Sequence, residues 1–148
     1  MYIGSAVSHW ENTHTPDRSD RNRIEHNQIG PNVGAESIDV KEGTCCGVIS
    51  TNHFDGTGMS GVHFADSWID LKGDKYTVEH NEGVHSVKDG IQVHHQAPAM
   101  EGLKTIGLLG GCHNKLIGNK CSQIHGKCVV VESPHTILHA NDCPNEVK

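Results

Sequence analysis

Two short phrases, SIDVK at 37–41 and WIDLK at 68–72, each set an aspartate two residues ahead of a lysine. A lysine ammonium neutralises a carboxylate, and a lysine whose pKa is lowered by a cationic neighbour can abstract a proton. Placed together, Lys41 and Lys72 have the chemistry to hold the acid group of a sugar and to remove the proton alpha to it. Asp39 and Asp70 would stand one step away. In the plainer alternative the aspartates and lysines neutralise one another on a solvated face. Both readings require a scaffold that brings position 41 next to position 72.

A repeat supplies that scaffold. One or two apolar residues followed by an asparagine recur in RIEHNQI (23–29), VISTNHF (48–54), TVEHNEG (77–83), KLIGNKC (115–121) and TILHAND (136–142). The asparagines are Asn27, Asn52, Asn81, Asn119 and Asn141, at intervals of 25, 29, 38 and 22 residues by subtraction of their numbers. A second strand phrase follows each of the first four: SIDVK, WIDLK, GIQVH (90–94) and CVVVE (128–132). Two strand phrases in fixed order, with no sustained helical stripe, predict a β-solenoid of about five rungs over 22–148. Residues 1–21 read as an irregular N-terminal segment or a partial rung. The second rung carries extra length in DGTGMSG (55–61), and GLLGGCHNK (107–115) reads as a loop inserted in the fourth.

Period two assigns the faces. Ile38/Val40, Ile69/Leu71, Ile91/Val93 and Val129/Val131 point inward as aliphatic columns. Outward stand one column of Asp39, Asp70, Gln92 and Val130, and a second of Lys41, Lys72, His94 and Glu132. Asp39, Asp70, Gln92 and His94 are therefore the candidate substrate contacts beside the two lysines. The asparagines are expected to stack at one corner, each in left-handed geometry with its amide bonded to the next. His26 and His80 each precede a ladder asparagine and read as corner residues. Among the 13 histidines one H-x-x-x-H spacing occurs, His135–His139, and no H-E-x-x-H motif does.

The same register puts Cys121 and Cys143 each two residues after a ladder asparagine, which predicts a disulfide between neighbouring rungs. Cys112 with Cys128 is a second candidate pair, and Cys45–Cys46 stays unassigned. Zinc is excluded by the lack of a C-x₂₋₄-C pair. Six cysteines favour an oxidising compartment, while the first 23 residues show no basic-then-apolar leader. Together these suggest the C-terminal part of a longer secreted protein. A net charge of −6 and a pI near 6.1 leave no basic footprint for nucleic acid, and no apolar run is long enough to span a membrane.

The stretch ESIDVKEGTCCGVISTNHFDG (36–56) resembles the repeat of right-handed β-helix polysaccharide lyases, the family of chondroitinase B and the alginate lyases. The resemblance implies a right-handed, pectin-lyase-like helix, a calcium-ligand role for Glu36 and a catalytic-base role for Lys41. Lys72 in LKGD stands where the family has an arginine, and Gly34 where it has a second acidic ligand. The span 22–90 is also similar to secreted microbial β-helix proteins. The function implied by the resemblance is that of an extracellular protein acting on an acidic glycan by β-elimination. The alternative is a non-catalytic structural or adhesive β-helix.

Overall fold

The computed structural model describes residues 1–95, 107–133 and 135–142. Nearly all regular structure is β, in three parallel sheets whose strands come from successive turns of the chain. Sheet A holds β1 (Tyr2–Ile3), β4 (Ile38–Val40), β7 (Ser67–Leu71), β10 (Asp89–Val93) and β13 (Val129–Val131), side by side in that order. Sheet B holds β2 (Arg23–Glu25), β5 (Val48–Ser50), β8 (Thr77–Glu79), β11 (Lys115–Ile117) and β14 (Ile137–His139). Sheet C holds β3 (Gln28–Ile29), β6 (His53–Asp55), β9 (Glu82–Val84) and β12 (Lys120–Ser122). The molecule is a parallel β-helix. One helix, α1 (Val7–Thr13), buries Trp10 against Cys45 and Leu108.

Each coil thus has three strands, where the repeat phrases alone suggest two. The asparagine is the reason: it breaks the phrase containing it into a sheet B strand and a sheet C strand. The left-handed residue at this corner is the one before the asparagine, not the asparagine itself. His26, Thr51, His80, Gly118 and Ala140 have φ of 58°, 55°, 53°, 62° and 52°. This kink turns the next residue's side chain into the coil. There Asn52 Oδ1 accepts from the backbone N–H and from Nδ2 of Asn27, at 3.0 and 2.9 Å. Asn81, Asn119 and Asn141 repeat the pattern on the asparagine of the coil before. Each Nδ2 from Asn52 onward also donates to a sheet B carbonyl, of Ile24, Ile49, Val78 or Leu116. Every polar atom of the buried amides is satisfied.

Stacking in sheet A follows the expected register. Ile38, Ile69, Ile91 and Val129 align, as do Val40, Leu71, Val93 and Val131. Six of these eight are essentially inaccessible, which keeps roughly 1.5–3 kcal/mol of transfer free energy per side chain in the interior. Trp68 fills the corner between sheets C and A and stacks on Phe54 with centroids 6.2 Å apart. Its ring occupies the space where a side chain on Gly83 would lie, which explains a glycine in the column Phe54–Gly83–Cys121.

The cysteine pairing departs from the expected one. Cys121 bonds Cys128, with Cα atoms 5.4 Å apart, and Cys45 bonds Cys46. Cys112 is buried and bonded to no other described cysteine, and Cys128 is taken by Cys121, so the pair Cys112–Cys128 does not form. Cys143 lies outside the described residues. Vertical spacing alone suggested Cys121–Cys143, but both Cys121 and Cys128 point into the interior on either side of one tight corner. That shorter bridge clips sheet C to sheet A within a single coil.

Two outcomes test these contacts. Replacing Asn81 by alanine strands the Asn52 amide groups and the Ile49 carbonyl, and should cost about 3 kcal/mol in urea unfolding, since each buried unpaired group costs ~1–3 kcal/mol. A loss below about 1 kcal/mol would show that the amide column is not a main support. Digestion after lysine and before aspartate, without reduction, should leave the peptide 121–127 joined to 128–141. Finding it joined to 142–148 would restore the pairing with Cys143.

Candidate functional site

The outer face of sheet A carries the charged columns. Asp39, Asp70 and Gln92 pair in register across β4, β7 and β10, and the next outward position of each strand end is Lys41, Lys72 and His94. These are the candidates named from sequence, and the fold brings them together. They face out of the coil yet are not open to bulk water, since Asp39, Asp70 and Gln92 are nine-tenths or more buried. The connection from β6 to β7 arches over them, and with Glu36 and Lys88 it encloses a cleft of about 510 Å³.

On the cleft floor the charges interleave. Lys41 Nζ lies 2.5 Å from Asp39 Oδ2. Lys72 Nζ pairs with Asp70 and lies 3.4 Å from the other oxygen of Asp39. A strand spacing that would set two cations against each other therefore sets each against a carboxylate. The line continues to His94, whose Nε2 faces Gln92 Oε1 at 3.0 Å and whose Nδ1 faces Glu132 at 3.1 Å. Gln92 is oriented by donating through Nε2 to Asp89 at 2.9 Å. Asp70 Oδ1 is buried and accepts no hydrogen bond from the described residues; His94 Nε2 stands 3.5 Å away.

This arrangement changes the expected state of Lys41. Burial pulls its ammonium down, but the Asp39 carboxylate and the Tyr2 hydroxyl outweigh burial and hold it above the ordinary lysine range. Repulsion from Lys72 does not lower it, because Asp39 stands between the two. As it rests, Lys41 is a cation rather than a free base. Glu36 moves the other way from a typical surface carboxylate: burial raises its pKa, and the charges of Asp39 and Asp70 add to that.

The resemblance to calcium-dependent lyases can be tested on these atoms. A calcium ion asks for six to eight oxygen ligands. Here both Asp39 oxygens and Asp70 Oδ2 are committed to the two ammonium groups, which leaves Asp70 Oδ1 and the Glu36 carboxylate, short of such a set. Among the described residues no three His, Cys, Asp or Glu side chains converge on one point. The residues do not fit a calcium site, and the positive charge on the floor comes from lysine.

Several residues at the site were not singled out from sequence. Tyr2, on β1 in register with Asp39, places its ring 4.6 Å from Lys41 Nζ, but a two-residue strand is too short to show that phase in the sequence. His63, Phe64 and Asp66 come from the end of the connection whose excess length was legible at 55–61. Lys88 closes the same wall through a 2.7 Å pair with Asp66.

The protonation of Lys41 has a direct readout. At mildly alkaline pH an amine-acylating reagent should modify Lys41 far more slowly than exposed Lys120, with site occupancy read by mass spectrometry. Faster labelling of Lys41 would mean a lowered pKa and a resident base.

No protein-family model matches the chain, and no curated protein matches it. Among solved structures it is similar to an alginate lyase from Paenibacillus sp. str. FPU-7, with a TM-score of 0.70 and 28% sequence identity. The likeness takes in 97% of this chain and 50% of that one, so the chain spans about half the length of the protein it matches.

Proposed function

We propose that the sheet A cleft binds a uronic-acid-containing polysaccharide outside the cell and that the protein cleaves it by β-elimination. The observation that carries this reading is the cleft floor itself. Two lysine ammonium groups, one beside each aspartate, sit where a sugar carboxylate could enter between them. The similarity to an alginate lyase over nearly the whole chain supports the same class of ligand. Two disulfides support an oxidising, extracellular setting.

In this reaction the proton on C5, alpha to the carboxylate, is removed. Its electron pair becomes the C4–C5 double bond, and the C4–O bond breaks as the glycosidic oxygen leaves and takes up a proton. The difficult step is the charge that builds on the carboxylate as C5 loses its proton. Lys41 and Lys72 answer that need as fixed cations in a cleft shielded from bulk solvent. Their charges are already balanced by Asp39 and Asp70, so an incoming carboxylate must share them. Asp39, Asp70, Gln92 and His94 then hold the sugar hydroxyls. Two groups flank the lysines: the His94 ring beyond Lys72 can take the proton through an unprotonated nitrogen, and the Tyr2 oxygen beside Lys41 can take it only after giving up its own. Lys41 itself can serve only after passing its own proton on.

The closed chain of ion pairs also suits a second reading, a non-catalytic adhesive β-helix. Incubation with alginate, pectin, chondroitin and hyaluronan, with absorbance of the unsaturated product as the readout, separates the two. Turnover should appear with at least one, and Lys72→Ala should lower the rate by roughly 10²–10³, the scale of losing one transition-state charge contact. Binding without turnover on any of the four would support the adhesive reading instead. A rate indifferent to Lys41→Ala and Lys72→Ala would remove the lysines from the mechanism.

A further inference from the structure

We propose that Phe64 is a stacking platform for a sugar ring, so that the cleft holds at least two residues of one glycan chain. One residue lays its carboxylate on Lys41 and Lys72, and another lies flat against Phe64. The proposal rests on the reading of the cleft as a uronate site and adds to it a subsite that carries no charge.

Phe64 is 87% exposed, more than any other large apolar side chain among the described residues. The chain's other phenylalanine, Phe54, is buried in the core. A ring left in water forgoes the burial that usually fixes phenylalanine in place. Its backbone is also unusual. His63 and Phe64 are consecutive left-handed residues, with φ of 54° and 68°. For a bulky side chain that conformation is strained, and it persists only where surrounding bonds impose it.

Those bonds are present. The Gly61 N–H donates to the Ala65 carbonyl at 3.1 Å, the Ala65 N–H to Val62 at 3.1 Å, and the Asp66 N–H to Phe64 at 3.0 Å. Ala65 is buried, and Asp66 is tied across to Lys88. The turn is thus anchored on both sides, while the ring it presents lines the cleft without entering the core.

The rest of the cleft lining is charged or polar, so an apolar partner for Phe64 would meet unmatched charge on every other side. A pyranose ring matches both surfaces. Its C–H face suits an aromatic face, and its edge carries hydroxyl donors. A waiting acceptor is on the floor of the same cleft: the buried Asp70 Oδ1, which accepts no hydrogen bond from the described residues.

Calorimetry on the full chain with uronate oligosaccharides of increasing length tests the platform. Phe64→Ala should weaken the longer oligosaccharides roughly five- to tenfold, on the scale of an aromatic contact, and leave the shortest one that binds unaffected. Phe64→Trp should retain the wild-type length dependence. Lys72→Ala should weaken all lengths alike. The melting temperature should not move with Phe64→Ala, because the ring supports no core contact. If Phe64→Ala binds every length as wild type does while Lys72→Ala loses affinity, the platform is overturned and the uronate site stands. If wild-type protein binds no uronate oligosaccharide, both fall together. A lowered melting temperature for Phe64→Ala would overturn the platform in favour of a structural role.

Discussion

The registration of one coil on the next governs this molecule, and the buried asparagine column is what fixes it. Aliphatic columns tolerate exchange among isoleucine, valine and leucine, and they hold coils together without dictating phase. A primary amide is less forgiving. Each inward asparagine oxygen takes two hydrogen bonds from the asparagine of the preceding coil, and each nitrogen gives a second bond to a sheet B carbonyl. A slip of one residue would strand those groups in a dry interior and reverse every side chain of the strand. The left-handed residue before each asparagine sharpens the same constraint, because it sets the angle at which the amide enters the coil.

The cleft inherits its geometry from that register. With coils locked in phase, Asp39 stands opposite Asp70, and the lysine of each strand end lies beside the carboxylate of its own strand. Like charges stacked one above another would destabilise the sheet. Offsetting the lysines by two residues resolves this as a zigzag of opposite charges. The zigzag keeps two cations together in a partly buried place, which is the property an acidic ligand can use. It also holds Lys41 in its charged form, so the same arrangement that makes the pair stable assigns it the part of electrostatic partner.

Much of this was legible in the sequence, for a physical reason. A solenoid repeats its constraints, so the asparagine corners and the Ile38–Ile69–Ile91 and Asp39–Asp70–Gln92 alignments emerge from counting along the chain. What counting missed was local and unrepeated. The split of each asparagine phrase into two strands depends on a left-handed residue whose identity varies among His, Thr, Gly and Ala. The Cys121–Cys128 bridge spans one corner of one coil, so vertical spacing gave no sign of it. Tyr2 reaches the site from the first strand of sheet A, in register with Asp39 but too short to show that phase in the sequence, and Phe64 from a long connection outside the repeat phrases. The protonation of Lys41 could not be read from its neighbour Lys72 alone, because the carboxylate lying between them decides it.

The central claim is that the paired ammonium groups of Lys41 and Lys72 receive a sugar carboxylate. A crystal structure with a bound uronate oligosaccharide tests this most directly. The account predicts a carboxylate within hydrogen-bond reach of both Nζ atoms, over the Asp39–Asp70 step of sheet A. An oligosaccharide bound elsewhere on the helix, or bound in this cleft with its carboxylates turned away from both lysines, would contradict it.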